Sequence, residues 1–357
     1  MTRWVIPFLL LPLCLWGAAR SAEASDEATW IRYAAISPDG QSIAFSYLGD
    51  IWVVGVQGGR ARPITTHAAF ERSPVWSGDS QTLAFASDRH GNFDVFTIPV
   101  QGGRATRLTH YSGSYIASCV SPDDTRVWFT SRRLDDAKAL VASRWMPELY
   151  SIPVEGGRPR QELTTPASAA VISPSGKLVA YEDIKGFENA LRKHHTSSVT
   201  RDIWTWNRTT GKHTKFRGYK GEDRNPAWSP QGDVLYFLSE ESGSSNVWAK
   251  QLDGQSKARQ VTKHTVHPVR FLSSARNGTL AYTVNGSLYA RDAQGRERKV
   301  QVTVRRDDRT NPDRRSTLRD GATDMAVSPK GDEVAFVVRG DVFVTSAEYP
   351  TTRRVTD

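Results

Sequence analysis

The chain has 357 residues, of which 38% are hydrophobic and 10% aromatic, with 11 Trp; it can bury a large core, and wholesale disorder is excluded. Lys+Arg number 47 against 38 Asp+Glu, a net charge of +9, and two cysteines exclude a disulfide scaffold or a multi-cysteine zinc module. Length allows two ordinary domains or one large domain built from repeats.

Residues 1–24 read as an export signal. Arg3 supplies the positive start, and Trp4 to Trp16 (WVIPFLLLPLCLW) is an apolar run too short for a bilayer core, which needs roughly 20 apolar residues. Gly17-Ala18-Ala19 and Ala22-Glu23-Ala24 both fit a small-residue cleavage site, so the expectation is cleavage near Ala19 or Ala24 and a periplasmic product without a stable membrane span. An uncleaved signal anchor is the alternative. Leu13 before Cys14 speaks against a lipoprotein. After cleavage Cys119 is the one cysteine left, so the fold must hold without an internal disulfide.

From Ile31 onward one pattern recurs. Its first copy is AAISPDGQSIAFSYLGDIWVVGVQGGRARPIT, residues 34–65. A short strand leads to a Ser37-Pro38-Asp39-Gly40 turn, a second strand follows at Ile43 to Tyr47, and a third at Asp50 to Val54. Gly58-Gly59 then turns the chain into a last strand ending Ile64-Thr65. Pro at the second turn position and Gly at the fourth suit a type I turn, and paired glycines supply positive φ. The Ser-Pro turn or its remnant returns at Ser77, Ser121-Pro122, Ser173-Pro174, Ser229-Pro230, near Ser274 and at Ser328-Pro329. The third strand returns with an aromatic or similar residue at Phe96, Tyr150, Trp204, Trp248, Tyr289 and Phe343. Second strands such as Leu83 to Ser87 and Val234 to Leu238 are apolar nearly throughout, as in a blade packed between two neighbours. Helical periodicity is confined to Glu188 to His195.

The fold class expected is therefore all-β, a six-bladed β-propeller of four-stranded blades over 28–304, with a solenoid of sheets as the structural rival. Lys299 to Val304 (KVQVTV) is expected to supply the last strand of the sixth blade. Residues 305–320 (RRDDRTNPDRRSTLRD) read as a charged linker, and 321–357 carry a seventh copy of the repeat. That copy either closes a seven-bladed ring with the N-terminal segment or opens a second, truncated propeller as its first blade; the linker favours the second. Residues 291–319 hold ten Arg/Lys and five Asp/Glu, so five of the nine net positive charges lie there. A local basic segment of this kind suits an inter-propeller contact better than a nucleic-acid groove, and no nucleic-acid partner is expected.

Catalytic signatures are missing from the sequence. There is no G-x-S-x-G elbow, no H-E-x-x-H and no C-x-x-C, so no catalytic, cofactor-binding or metal-ligating residue is assigned and no cofactor is expected. His67 and His110 follow the last strand of a blade, where packing or turn hydrogen bonding explains them. His194-His195 are adjacent and point apart on extended chain, a poor bidentate pair. Asp123-Asp124 and Asp307-Asp308 flank turns, without calcium-loop spacing. The aromatic at each third strand reads as packing between blades.

The repeat, with Ser-Pro-Asp-Gly, Ile-Ala-Phe-Ser, Gly-Asp-Ile-Trp, Gly-Gly and Leu108-Thr109-His110, resembles the propeller repeat shared by TolB and the tricorn-type peptidases. Gly186 to Trp206 (GFENALRKHHTSSVTRDIWTW), Gly221 to Gly232, His267 to Ser273 and the closing RGDVFVTSAEYPTTRRVTD resemble the N-terminal propeller of exported bacterial tricorn-like serine peptidases. The turn repeats are common to several families; the long insertion is more specific. The resemblance implies a six-bladed propeller followed by a seven-bladed one and by PDZ and catalytic domains, in a homo-oligomeric enzyme acting on oligopeptides. This chain would then be a non-catalytic front portion that gates or routes peptides. It also implies that a basic pair anchors the peptide C-terminal carboxylate, and Arg132-Arg133 match that pair by blade position. An ordinary solvated pair facing Asp135-Asp136 is the competing reading. The alternative function is a stand-alone TolB-like periplasmic protein-binding propeller. TolB places an α/β domain before its propeller, whereas Trp30 here enters the first blade almost directly.

Overall fold

A computed structural model of the chain describes residues 27–132, 146–186, 196–305 and 319–356. The proposed signal, Arg133, the stretch Glu188 to His195 and Asp307-Asp308 lie outside the described residues. The chain divides into two units, one up to Arg305 and one from Arg306.

Among the described residues the first unit has no helix and six four-stranded antiparallel sheets, each with its strands in sequential order. Their first strands are Arg32–Ile36, Glu71–Trp76, Tyr115–Val120, Ala167–Ile172, Asp223–Trp228 and Val269–Ser274, here assigned to blades 1 to 6. Each touches the next, and Val269–Ser274 touches Arg32–Ile36, so the six close a ring. That is a β-propeller.

The repeat sequence explains each blade. In the turn of blade 1 the Ser37 hydroxyl donates to Asp39 at 2.5 Å and accepts from the Ser42 N–H at 2.9 Å, while Asp39 accepts from the Gln41 N–H. Blades 2 and 3 repeat this with Ser77/Asp79 and Ser121/Asp123, and the hydroxyls hold both carboxyl pKa values below the usual range. Second strands are buried on both faces: Ser42–Tyr47 and Thr82–Ser87 are enclosed at all but their ends. Opposite them on the third strands stand the repeated aromatics, paired as Phe45↔Trp52, Phe85↔Phe96, Phe129↔Tyr150, Tyr181↔Trp204, Phe237↔Trp248 and Tyr282↔Tyr289. Phe85 and Phe96 pack with Ile51 and Val53 of blade 1, so the aromatic pair is mortar between blades. Each fully buried ring contributes roughly 1.5–3 kcal/mol over its exposed state.

Ring closure departs from the sequence expectation in one respect. The stretch Lys299 to Val304 is shared between two sheets: Glu297–Val300 is the last strand of blade 6, but Val302–Thr303 crosses to blade 1 and pairs in parallel with Gly59–Arg60. The same segment accepts the Ala28 N–H through the Val302 carbonyl at 2.8 Å. Gln301 breaks the strand there because its carbonyl takes the Gly59 N–H instead of continuing the blade 6 ladder.

The second unit contains one four-stranded antiparallel sheet: Ala322–Val327, Glu333–Val338, Asp341–Ser346 and Thr352–Arg354. It repeats the Phe336↔Phe343 pair and the Ser328 turn. Its first strand is exposed along its whole length, with Met325 and Val327 open to solvent.

Candidate functional site

The six first strands enclose a cavity of about 790 Å³ on the axis of the ring. One end is framed by the Ser-Pro turns, with Pro38, Pro122, Pro174 and Pro230 on its wall. The other end lies where the first strands begin and carries the charge.

At that end the same distortion recurs. The register slips just after Arg32, Arg72, Ser168, Arg224 and Arg270, each pairing with the second strand before a bulge. The next residue is left-handed in each case: Tyr33, Ser73, Ala169, Asn225 and Phe271, with φ between 46° and 56°. None is glycine, so each bulge costs backbone energy that the sheet must hold in place. The bulges re-aim the residues around them, and four of the five preceding residues are arginines.

Three of these, Arg32, Arg224 and Arg270, line the cavity. They come from blades 1, 5 and 6, which are consecutive around the closed ring. Arg72 is turned away, its guanidinium 4.0 Å above the Phe93 ring. Burial pushes the Arg270 pKa down, Arg224 pushes it further and Arg32 adds a smaller push, with Glu222 opposing them. All three lining carboxylates, Glu182, Glu222 and Glu240, belong to blades 4 and 5. They are heavily used there. Glu182 accepts from the bulged Asn225 N–H at 2.7 Å and from the Ser168 hydroxyl at 3.0 Å; Glu222 takes Arg201 at 2.9 Å; Glu240 takes the Glu222 N–H at 3.1 Å. The arginine arc is a feature that motif reading missed. Its signal was present: each arginine precedes the turn Ser, or Ala275 in blade 6, by five residues.

Arg132 directly follows the second strand of blade 3, Arg126–Ser131, on the face where the first strands begin, and it is exposed. The His67 Nδ1 accepts the Ala69 N–H at 3.0 Å, and His110 is exposed. Asp123 stays within its turn, whereas Asp124 reaches out of it. It accepts the Gly78 and Asp79 N–H groups of blade 2, joining two blades at the Ser-Pro face. Cys119 is half-buried on the cavity wall, and burial pushes its thiol pKa up to about 12. No cluster of three or more His, Cys, Asp or Glu able to hold a metal occurs among the described residues.

Residues 28–297 match the model of the tricorn protease N-terminal β-propeller domain. The chain belongs to that family. It is 26% identical over 229 residues to tricorn protease homolog 1 of Streptomyces coelicolor, covering 62% of this chain and 20% of the relative. It is 24% identical over 358 residues to dipeptidyl-peptidase 5 of Porphyromonas gingivalis, covering 87% of this chain and 49% of the relative. This propeller chain therefore spans about a fifth and about half of their lengths. Among solved structures it superposes on the tricorn protease with a TM-score of 0.68 at 18% identity, over 92% of this chain and 31% of the other. A putative TolB from Agrobacterium tumefaciens shares the fold at TM-score 0.54 and 18% identity, over 67% of this chain and 83% of the other. Among the described residues no helix is long and apolar enough to cross a membrane.

Proposed function

We propose that residues 27–305 form the non-catalytic, channel-bearing propeller of an exported tricorn-like serine peptidase, which routes oligopeptides to a protease domain carried elsewhere in the parent protein. The observation that carries this reading is the axial cavity, walled by the first strands of a propeller whose family is that of the tricorn N-terminal domain. About 790 Å³ is of the size that takes an extended segment of a few residues. The names of the two relatives, a tricorn protease homolog and a dipeptidyl-peptidase, support peptides as the substrate class. Residues 321–357 are then the first blade of a second propeller, and 305–320 the linker. PDZ and protease domains follow in the same polypeptide, and the whole assembles as a homo-oligomer. Residues 1–24 direct it to the periplasm.

Arg132 and Arg133 are the peptide carboxylate anchor in this reading, Arg132 standing exposed just after the second strand of blade 3. Two guanidinium groups offer a planar fork to a terminal carboxylate. The test is steady-state kinetics on the protein encoded by the entire reading frame. Replacing both arginines by alanine is expected to raise KM about tenfold or more for peptides with a free C-terminus, leaving amidated peptides unaffected. Equal effects on both peptide sets remove the anchor role. Peptide hydrolysis by the purified 357-residue chain, abolished by a Ser→Ala change within it, would overturn the non-catalytic reading, as would a frame that lacks any protease region.

A further inference from the structure

We infer that Tyr33 and Phe271, faced across the axis by Ile116, form an apolar subsite on the channel wall that takes a bulky aromatic side chain of a peptide. The inference deepens the peptide-routing reading and rests on it for the chain that carries this side chain; the subsite itself rests on the residues of the wall.

Three observations carry it. Tyr33 and Phe271 are the left-handed residues in the bulges of blades 1 and 6, with φ of 53° and 56°. For a bulky side chain that conformation is costly and persists only where the surrounding structure imposes it, whereas blade 5 meets the same demand with Asn225, a residue that adopts it readily. Next, the two rings meet, their centroids 4.9 Å apart and their planes tilted by 51°. Phe271 packs on the core shared by blades 1 and 6, yet both side chains line the cavity and are only half-buried, so apolar ring surface is left for a third partner. Finally, blade 3 stands three places from blade 6 in the closed ring, and therefore opposite it. It carries Ile116 at the register position where blades 1, 5 and 6 carry arginine. Ile116 lines the cavity with 40% of its surface exposed, and Pro74 and Pro226, next to the bulge residues of blades 2 and 5, add apolar wall between the two sides.

A flat, apolar side chain covers the open rings and the uncovered isoleucine together, whereas a glycine covers neither. Binding of a fluorescein-labelled hexapeptide of five Gly and one Phe to the 357-residue chain is measured by anisotropy, beside the labelled hexaglycine. N-phenyl-1-naphthylamine, an uncharged apolar dye, serves as a probe that is not a peptide. The Phe peptide is expected to bind at least about tenfold more tightly than hexaglycine. Phe271→Asn and Ile116→Ser are each expected to remove most of that difference. Asn is the residue blade 5 itself places at this bulge, so the first change keeps the backbone. Val266→Ser, at an exposed apolar position that is not on the cavity wall, is expected to leave the difference intact. Should Phe271→Asn fail to fold by near-UV circular dichroism, Ile116→Ser and Tyr33→Asn carry the test.

Equal binding of both peptides, unaffected by these changes, overturns the subsite and leaves peptide routing standing. Dye binding that depends on Phe271 and Ile116, without binding of either peptide, keeps the apolar subsite and sinks the routing reading. Binding of no probe overturns both.

Discussion

Asp94 and Thr109 are joined by a 2.8 Å hydrogen bond across a fully buried position of blade 2, and the same hydroxyl accepts the Val95 N–H at 2.9 Å. One threonine thus locks the start of the third strand to the end of the fourth. The pair recurs as Asp50–Thr65, Asn246–Thr262 and Asp341–Thr356, which explains why these four repeats close on a hydrophobic-Thr dipeptide.

Replacing Thr109 by Val keeps the volume and removes both bonds. The change leaves a buried carboxylate that retains only its other contacts, chiefly Arg107 at 2.6 Å. The expected loss is about 1–3 kcal/mol of unfolding free energy in urea titration. Thr356→Val, in the half-exposed copy of the pair, should cost clearly less. Equal losses at the two positions would refute the burial argument.

Ring closure gives a second, sharper comparison. Gly58 and Gly102 occupy the same place in blades 1 and 2, with φ of 91° and 92°. A Cβ on Gly58 meets the Gln301 carbonyl at 2.6 Å, whereas one on Gly102 meets nothing within 4 Å. Both Gly→Ala changes pay the left-handed backbone cost of about 1–2 kcal/mol. Only Gly58→Ala also pushes the closing strand Val302–Thr303 off blade 1. Gly58→Ala should therefore lower the thermal midpoint several degrees further than Gly102→Ala. Matching midpoints would mean that the parallel pairing adds nothing to closure.

Much of this architecture was legible in the sequence, because a blade's demands are local. Ser-Pro-Asp-Gly can satisfy its own backbone within five residues, and the Phe45/Trp52 pair is set by a two-residue turn at Leu48-Gly49. What escaped depends on partners far along the chain. Val302 pairs with Gly59, and nothing in KVQVTV distinguishes a strand that stays in its blade from one that crosses to another. The arginine arc escaped for a different reason. A bulge at Tyr33, Asn225 or Phe271 carries no glycine to betray it, so no turn residue beside Arg32, Arg224 or Arg270 marks the distortion.

The second unit should open first. Its sheet packs Phe336 against Phe343, but its first strand is exposed at all six positions and its second is only partly covered. Four strands with so little buried face are marginally stable. Amide exchange at Glu333–Val338 is expected to precede that at Ser42–Tyr47 by at least about a hundredfold, read by mass spectrometry. Equal protection of the two segments would contradict the burial difference.

Cys119 supplies a prediction in pH. Burial lifts its thiol from 9.0 to about 12, against smaller opposing effects from the Ile172 backbone and Arg208. A folded-state pKa raised above the unfolded one means that the neutral thiol's contribution to stability is fully present below pH 9. It is lost as pH rises from there towards 12. The thiolate, not the thiol, attacks alkylating reagents. At pH 8 the folded chain should therefore take iodoacetamide at Cys119 about a hundredfold more slowly than the chain in guanidinium. The ratio should shrink as pH is raised past 9, because the folded thiol then ionises while the unfolded one is already thiolate. Peptide mapping reads Cys119 separately from Cys14. A native rate equal to the denatured one at pH 8 would show that the channel wall leaves this thiol as ionisable as a free one.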